Sequence, residues 1–169
     1  MKGESRTAEF LAKNKNGRIP LLEISPGTYL PESNAILWYL AQNSELWPTD
    51  RLKGARVLQW MNFEQYSHEP FIATSRYWIK ILGEPARYAS EIEARRAGGE
   101  AALDVMEAHL SNHVFFVDDY SIADIALFAY THVSHEGGFL LDNYPSIRAW
   151  IERVKSTAGY IPMETWRKS

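Results

Sequence analysis

Residues with strand character are confined to one short window, IPLLEI (19–24) and TYL (28–30), with the turn Ser25-Pro26-Gly27 between them. That window reads as a single β-hairpin, and an isolated hairpin is only marginally stable in water. Everything around it carries helical spacing. Thr7 to Lys13 reads as a short helix ended by the turn-prone Asn14-Lys15-Asn16-Gly17, and residues 32–42 as a second helix. Asp50 can cap a long helical stretch from Arg51 to Ile81, with a kink expected at Pro70. Further helices are expected over 85–110, weakened at Gly98-Gly99, over 121–135 and over 145–155, the last with Pro145 in its first turn. The fold class is therefore mainly α (α+β). An α/β piece spans 1–43, a linker 44–49 and an all-helical domain 50–169.

The composition narrows the function classes. Net charge is −3 with no basic cluster, which argues against a nucleic-acid partner. No apolar run approaches the ~18 residues of a membrane span, and MKGESRTAEF lacks the apolar core of a signal peptide. Cysteine is absent. Disulfides, thiolate metal sites and a cysteine nucleophile on this chain are thereby excluded, and a cytoplasmic location fits. Any thiol chemistry would have to come with the ligand.

Two short stretches carry chemistry. In LPESNAILWYL (30–40) a polar triplet opens a strongly apolar helix. Free N–H groups and the helix dipole at such an end can hold an anion together with the Ser33 hydroxyl. Glu32 beside it can accept from an ammonium, so one spot would suit an α-amino acid. The competing reading is ordinary capping by Ser33. In Gly17-Arg18-Ile19-Pro20 a cis Ile19–Pro20 bond would turn the Ile19 backbone outward to pair with an extended peptide-like ligand, although base rates favour trans.

Taken in order, GRIPLLEI, TYL and PESNAILWYL resemble the end of the glutathione-binding domain of the glutathione transferases. Downstream, Tyr120-Ser121-Ile122-Ala123-Asp124 is similar to the family's structural capping box, and EQYSHEP (64–70) and YTHVSHEGGF (130–139) look like bacterial members. The resemblance implies a partial thioredoxin-like piece followed by an all-helical transferase domain. It implies glutathione as co-substrate, held by Arg18, Ile19, Pro20, Glu32 and Ser33, with the cysteinyl backbone on the residue before a cis-proline. The second substrate would be a small hydrophobic electrophile, for which Tyr66, His68, Arg76, Tyr77 and Trp78 are candidate pocket residues. A homodimer is expected, and a detoxification role. Ser121 and Asp124 are structural and take no part in chemistry.

In the family pattern a strand, helix and strand precede the first helix seen here, on the order of 30–45 residues. They carry the Ser, Tyr or Cys that favours the glutathione thiolate. On that expectation the chain is truncated, no residue inherits the thiol-activating role, and the chain's own activity is in doubt. The alternative is a transferase-like binding or assembly module without catalysis. A metal site on His132, His135 and Glu136 is rejected, because zinc-protease spacing puts the glutamate between histidines four apart.

Overall fold

Chain contacts separate two units, Met1–Trp47 and Pro48–Ser169, and the computed structural model describes residues 3–163. In the first unit Thr7 caps α1 (Ala8–Lys13), its hydroxyl accepting from the Phe10 N–H at 3.3 Å. Two antiparallel strands follow, β1 (Leu21–Ser25) and β2 (Thr28–Pro31). Gly27, at φ 78°, takes the left-handed position of their turn, a conformation glycine adopts without steric cost. Leu21 pairs with Pro31, Leu22 with Leu30 and Glu23 with Tyr29. β1 begins later than the apolar run from Ile19 because Pro20 brings no N–H to the ladder. The helix α2 (Ser33–Ala41) completes the unit. Asn14, Gly17 and Ala41 are its only buried residues among those described, so hydrogen bonding within its loops carries much of its local order.

In the second unit Asp50 accepts from the Lys53 N–H at 2.8 Å and starts α3 (Arg51–Phe63). The long helical stretch continues, but not as one α-helix with a bend at Pro70. A π turn at Glu64–His68 separates α3 from α4 (Glu69–Arg76), and a second one follows at Tyr77–Ile81. Pro70 explains the first. It cannot donate to the Tyr66 carbonyl and its ring presses on that group, and a widened turn just upstream makes the room.

The next helix, α5, spans Ala89–Leu110 and so starts later than Pro85, residues 85–88 forming turns instead. It runs unbroken through Gly98-Gly99. A Cβ on Gly98 would lie 2.4 Å from the Phe71 ring, and one on Gly99 2.3 Å from the Phe139 ring. The glycines admit those rings, which outweighs their poor helix propensity. Gly99→Ala should therefore destabilise: a propensity gain of up to about 1 kcal/mol opposes about 1–3 kcal/mol of overpacking. The expected sign is a lower urea midpoint. A raised one would show that Phe139 moves aside freely.

α6 (Ile122–Thr131) is buried on nearly every side, with Ile122, Ala123, Ala126, Leu127 and Phe128 all in the core. It stops at Thr131 instead of reaching His135. The Thr131 hydroxyl donates back to the Leu127 carbonyl at 2.6 Å, and a short 3-10 turn, Ser134–Gly137, leads to Gly138 at φ 85°. The last helix, α7 (Pro145–Lys155), packs Ile147, Trp150, Ile151 and Val154 inward. Its start has no side-chain cap of its own. Glu107 of α5 supplies one, its carboxylate accepting from the Ser146 and Ile147 N–H groups at 2.9 and 3.0 Å, where the helix dipole favours negative charge.

Candidate functional site

The hairpin register decides what comes together in the first unit. Leu21 opposite Pro31 is the last pair at the open end, so Ile19-Pro20 and Glu32-Ser33 flank it at the same end of the sheet. The Ile19–Pro20 bond is cis. Ile19 is 76% exposed, and its backbone makes no hydrogen bond among the described residues. It is an unused donor and acceptor at the edge of a strand.

At the helix start the structure departs from ordinary capping. Glu32, not Ser33, holds the N-cap position, and its side chain makes no capping bond. Its backbone sits at φ 72°, ψ 116°, the left-handed half of the map, where a residue with a side chain costs of order 1–3 kcal/mol. Ser33 is the first helical residue, and its hydroxyl has no partner among the described residues. This backbone strain stands directly ahead of the Ser33 hydroxyl, at the helix end where the dipole is positive. Glu32 places a negative charge beside it. Both side chains are exposed, as is that of Arg18, which makes no ion pair among the described residues. Sequence reading found these five positions but not the strain at Glu32, which no residue type announces.

The pocket candidates of the second unit scatter. Tyr66, on the first π turn, is 85% exposed and borders an apolar groove with Phe63 and Phe71 on one side and Gly98, Ala101 and Val105 of α5 on the other. Tyr77 is partly exposed. Trp78 stacks on Tyr88 at 5.0 Å with nearly parallel rings, and the Arg95 guanidinium covers it at 4.5 Å. Arg76 is taken up by an ion pair with Glu136 at 2.7 Å, which Lys80 joins at 3.5 Å. Glu136 is thus an ion-pair partner for cations.

His68 is fully buried and does not face an open pocket. Its Nε2 lies 2.9 Å from the Thr131 hydroxyl. That hydroxyl spends its proton on Leu127, so Nε2 carries the imidazole proton and donates. Nδ1 is left bare of any partner among the described residues, and burial pushes the pKa down to about 4.

Asp124 is fully buried as well. Ser121 caps α6, its hydroxyl accepting from Ala123 N–H at 3.3 Å, while Asp124 accepts from the Ser121 N–H at 3.0 Å. The same carboxylate also accepts from the Phe116 N–H and the Trp150 indole, at 3.2 and 2.9 Å. Sequence spacing showed the first pair only. Burial raises its pKa to about 6 against the pull of these donors.

Comparison with known proteins agrees with this architecture. The family model described as glutathione S-transferase, C-terminal domain, matches residues 60–157, and that of the N-terminal domain matches 1–42. A glutathione S-transferase-like protein of a Fusarium species is 33% identical over 164 residues, covering 91% of this chain and 73% of that protein. Among solved structures, a glutathione S-transferase from Pseudomonas fluorescens is 51% identical with a TM-score of 0.92, covering 95% of this chain and 81% of that one. One described as a possible glutathione S-transferase from Rhodopseudomonas palustris is 47% identical with a TM-score of 0.94, covering 96% and 74%. With more than half its length matched by one family model and both halves falling in sequence order, the chain belongs to the glutathione S-transferase family.

Proposed function

We propose that this protein is a glutathione transferase that takes glutathione as co-substrate and joins its sulfur to an electrophilic carbon of a small hydrophobic molecule, in a detoxifying role. The observation that carries the reading is the strained Glu32 directly ahead of Ser33, whose hydroxyl makes no hydrogen bond among the described residues. On this reading Ser33 and the first-turn N–H groups of α2 take the γ-glutamyl carboxylate, and Glu32 takes the α-ammonium. Ile19, presented by Pro20, pairs its N–H and C=O with the cysteinyl backbone, and Arg18 serves the glycyl carboxylate. None of the described residues is assigned to thiol activation. Tyr77 offers an exposed aromatic surface for the electrophile, whereas Trp78 is taken up by Tyr88 and Arg95, His68 by burial against Thr131 and Arg76 by the Glu136 pair.

A homodimer belongs to the same proposal. The apolar groove beside Tyr66, floored by glycine and alanine of α5, is a surface that a second copy could cover. No helix among the described residues is long and apolar enough to cross a membrane, and the cysteine-free composition suits a cytoplasmic setting.

The test is calorimetric titration of reduced glutathione into the chain, beside Ser33→Ala. A charge-assisted hydrogen bond is worth about 1.5–3 kcal/mol, so the variant should bind at least about tenfold more weakly. Equal affinity would remove Ser33 from the site. A folded chain with no affinity for glutathione would sink the proposal.

A further inference from the structure

Beyond the residues assigned above, and resting on the glutathione reading, we propose that Asn16 is a positioning residue that holds the Glu32 carboxylate ready for the ligand's ammonium. The Asn16 side-chain amide donates to Glu32 Oε1 at 3.4 Å. A carboxylate only accepts, so it is the Nδ2 side of the amide that must face it. No other hydrogen bond or ion pair engages the Glu32 carboxylate among the described residues. One oxygen is therefore tied and the other open, and the tying partner is neutral. A lysine or arginine there would cancel the charge that a cationic ligand group needs, whereas an amide leaves it intact.

Asn16 can do this because its own backbone is held on both sides. Its N–H donates to Asn14 Oδ1 at 3.1 Å, and its C=O accepts from Arg6 Nη1 at 3.2 Å. Asn14 is buried and spends every polar group on this loop. Its N–H donates to the Phe10 carbonyl and its C=O accepts from Gly17, each at 2.9 Å, while Nδ2 donates to the Arg18 carbonyl at 2.8 Å. The loop from α1 to Ile19 is thus closed on Asn14, and Asn16 projects from it to Glu32. A flexible, exposed glutamate would otherwise have to be ordered by the ligand, and prior ordering strengthens binding. The same loop ends on Ile19, so one small network joins the two halves of the site.

The experiment uses the full chain and two probes: glutathione, and its deamino analogue in which the α-amino group is replaced by hydrogen. Dissociation constants for both are measured on the unaltered chain, on Asn16→Ala and on Asn16→Gln, with melting curves to check folding. The unaltered chain should prefer glutathione to the analogue. In Asn16→Ala that preference should fall about 3- to 10-fold, the value of one net hydrogen bond, with affinity for the analogue unchanged. Asn16→Gln keeps the donor on a longer arm and should recover part of the preference.

A merely structural role would weaken both probes alike and leave the ratio untouched, and that result would overturn the inference. So would an unaltered chain that binds both probes equally, since Glu32 would then not meet the ammonium. An unaltered chain that binds neither probe removes the glutathione reading itself, and the inference falls with it.

Discussion

Asp124→Ala is expected to lower stability by about 4 kcal/mol, a shift of roughly 8–16 °C in Tm for a chain of this size. The fully buried carboxylate accepts from the Phe116 N–H, the Ser121 N–H and hydroxyl, and the Trp150 indole, at 2.9 to 3.3 Å. Deleting it strands those donors in a closed site, where each unmade bond costs about 1–3 kcal/mol. Part of this is offset, because burying the charge is itself unfavourable, as the pKa raised to about 6 records. Asp124→Asn retains one acceptor oxygen but turns its NH2 onto the donors of the other, so it should recover little of that loss. Ser121→Ala removes a single cap and should lose about 1 kcal/mol. Urea unfolding followed by tryptophan fluorescence reads all three. An Asp124→Ala loss under 1 kcal/mol would mean that water reaches the site and satisfies the donors.

The second large effect is on acid stability, where His68 and Asp124 pull in opposite directions. The unfolded chain protonates His68 near its ordinary value of 6.5, the folded chain only near 4. Stability from this group is therefore complete above pH 6.5 and is lost as pH falls towards 4, by about 3 kcal/mol. Asp124 behaves inversely. Its carboxyl takes a proton near pH 6 in the folded chain and near 3.8 in the unfolded one. Its contribution is complete below 3.8 and is lost as pH rises through 6, again by about 3 kcal/mol. Between pH 6 and 4 the two nearly cancel.

The unaltered protein should thus show little net slope from this pair. His68→Gln keeps a donor for Thr131 and removes the titration of this group. Its stability, measured by urea unfolding at pH 7, 5.5 and 4.5 and set against the unaltered chain at each pH, should gain by up to about 3 kcal/mol as pH falls, because the contributions of other groups such as the Arg76–Glu136 pair are common to both proteins. Parallel pH profiles for the two proteins would show that His68 is not held neutral in the core.

Much of the fold was legible because its signals are local. The hairpin follows from two apolar runs around Pro26-Gly27, α7 from Pro145 and its apolar spacing, and the start of α6 from Ser121 and Asp124 three residues apart. The misplaced boundaries lie where distant contacts overrule propensity. α5 passes through Gly98-Gly99 because Phe71 and Phe139 need the space. α6 ends early, where Thr131 meets His68, 63 residues away, and the chain goes over to the 3-10 turn before Gly138.

The candidate site shows the same division. Arg18, Ile19, Pro20, Glu32 and Ser33 stand in two motifs of a few residues each, so the sequence alone determined which side chains and backbone groups were available, and the family resemblance determined what they were expected to hold. The tertiary structure decided how they are presented. It put Glu32 at φ 72°, left the Ser33 hydroxyl uncommitted and brought Asn16 to within 3.4 Å of Glu32 across 16 positions of chain. It also gave Asp124 its indole donor from Trp150 and α7 its cap from Glu107. The reason is physical. Propensity, capping and turn chemistry act between residues a few positions apart. Burial, strain and the choice of a hydrogen-bond partner exist only once remote segments are packed together.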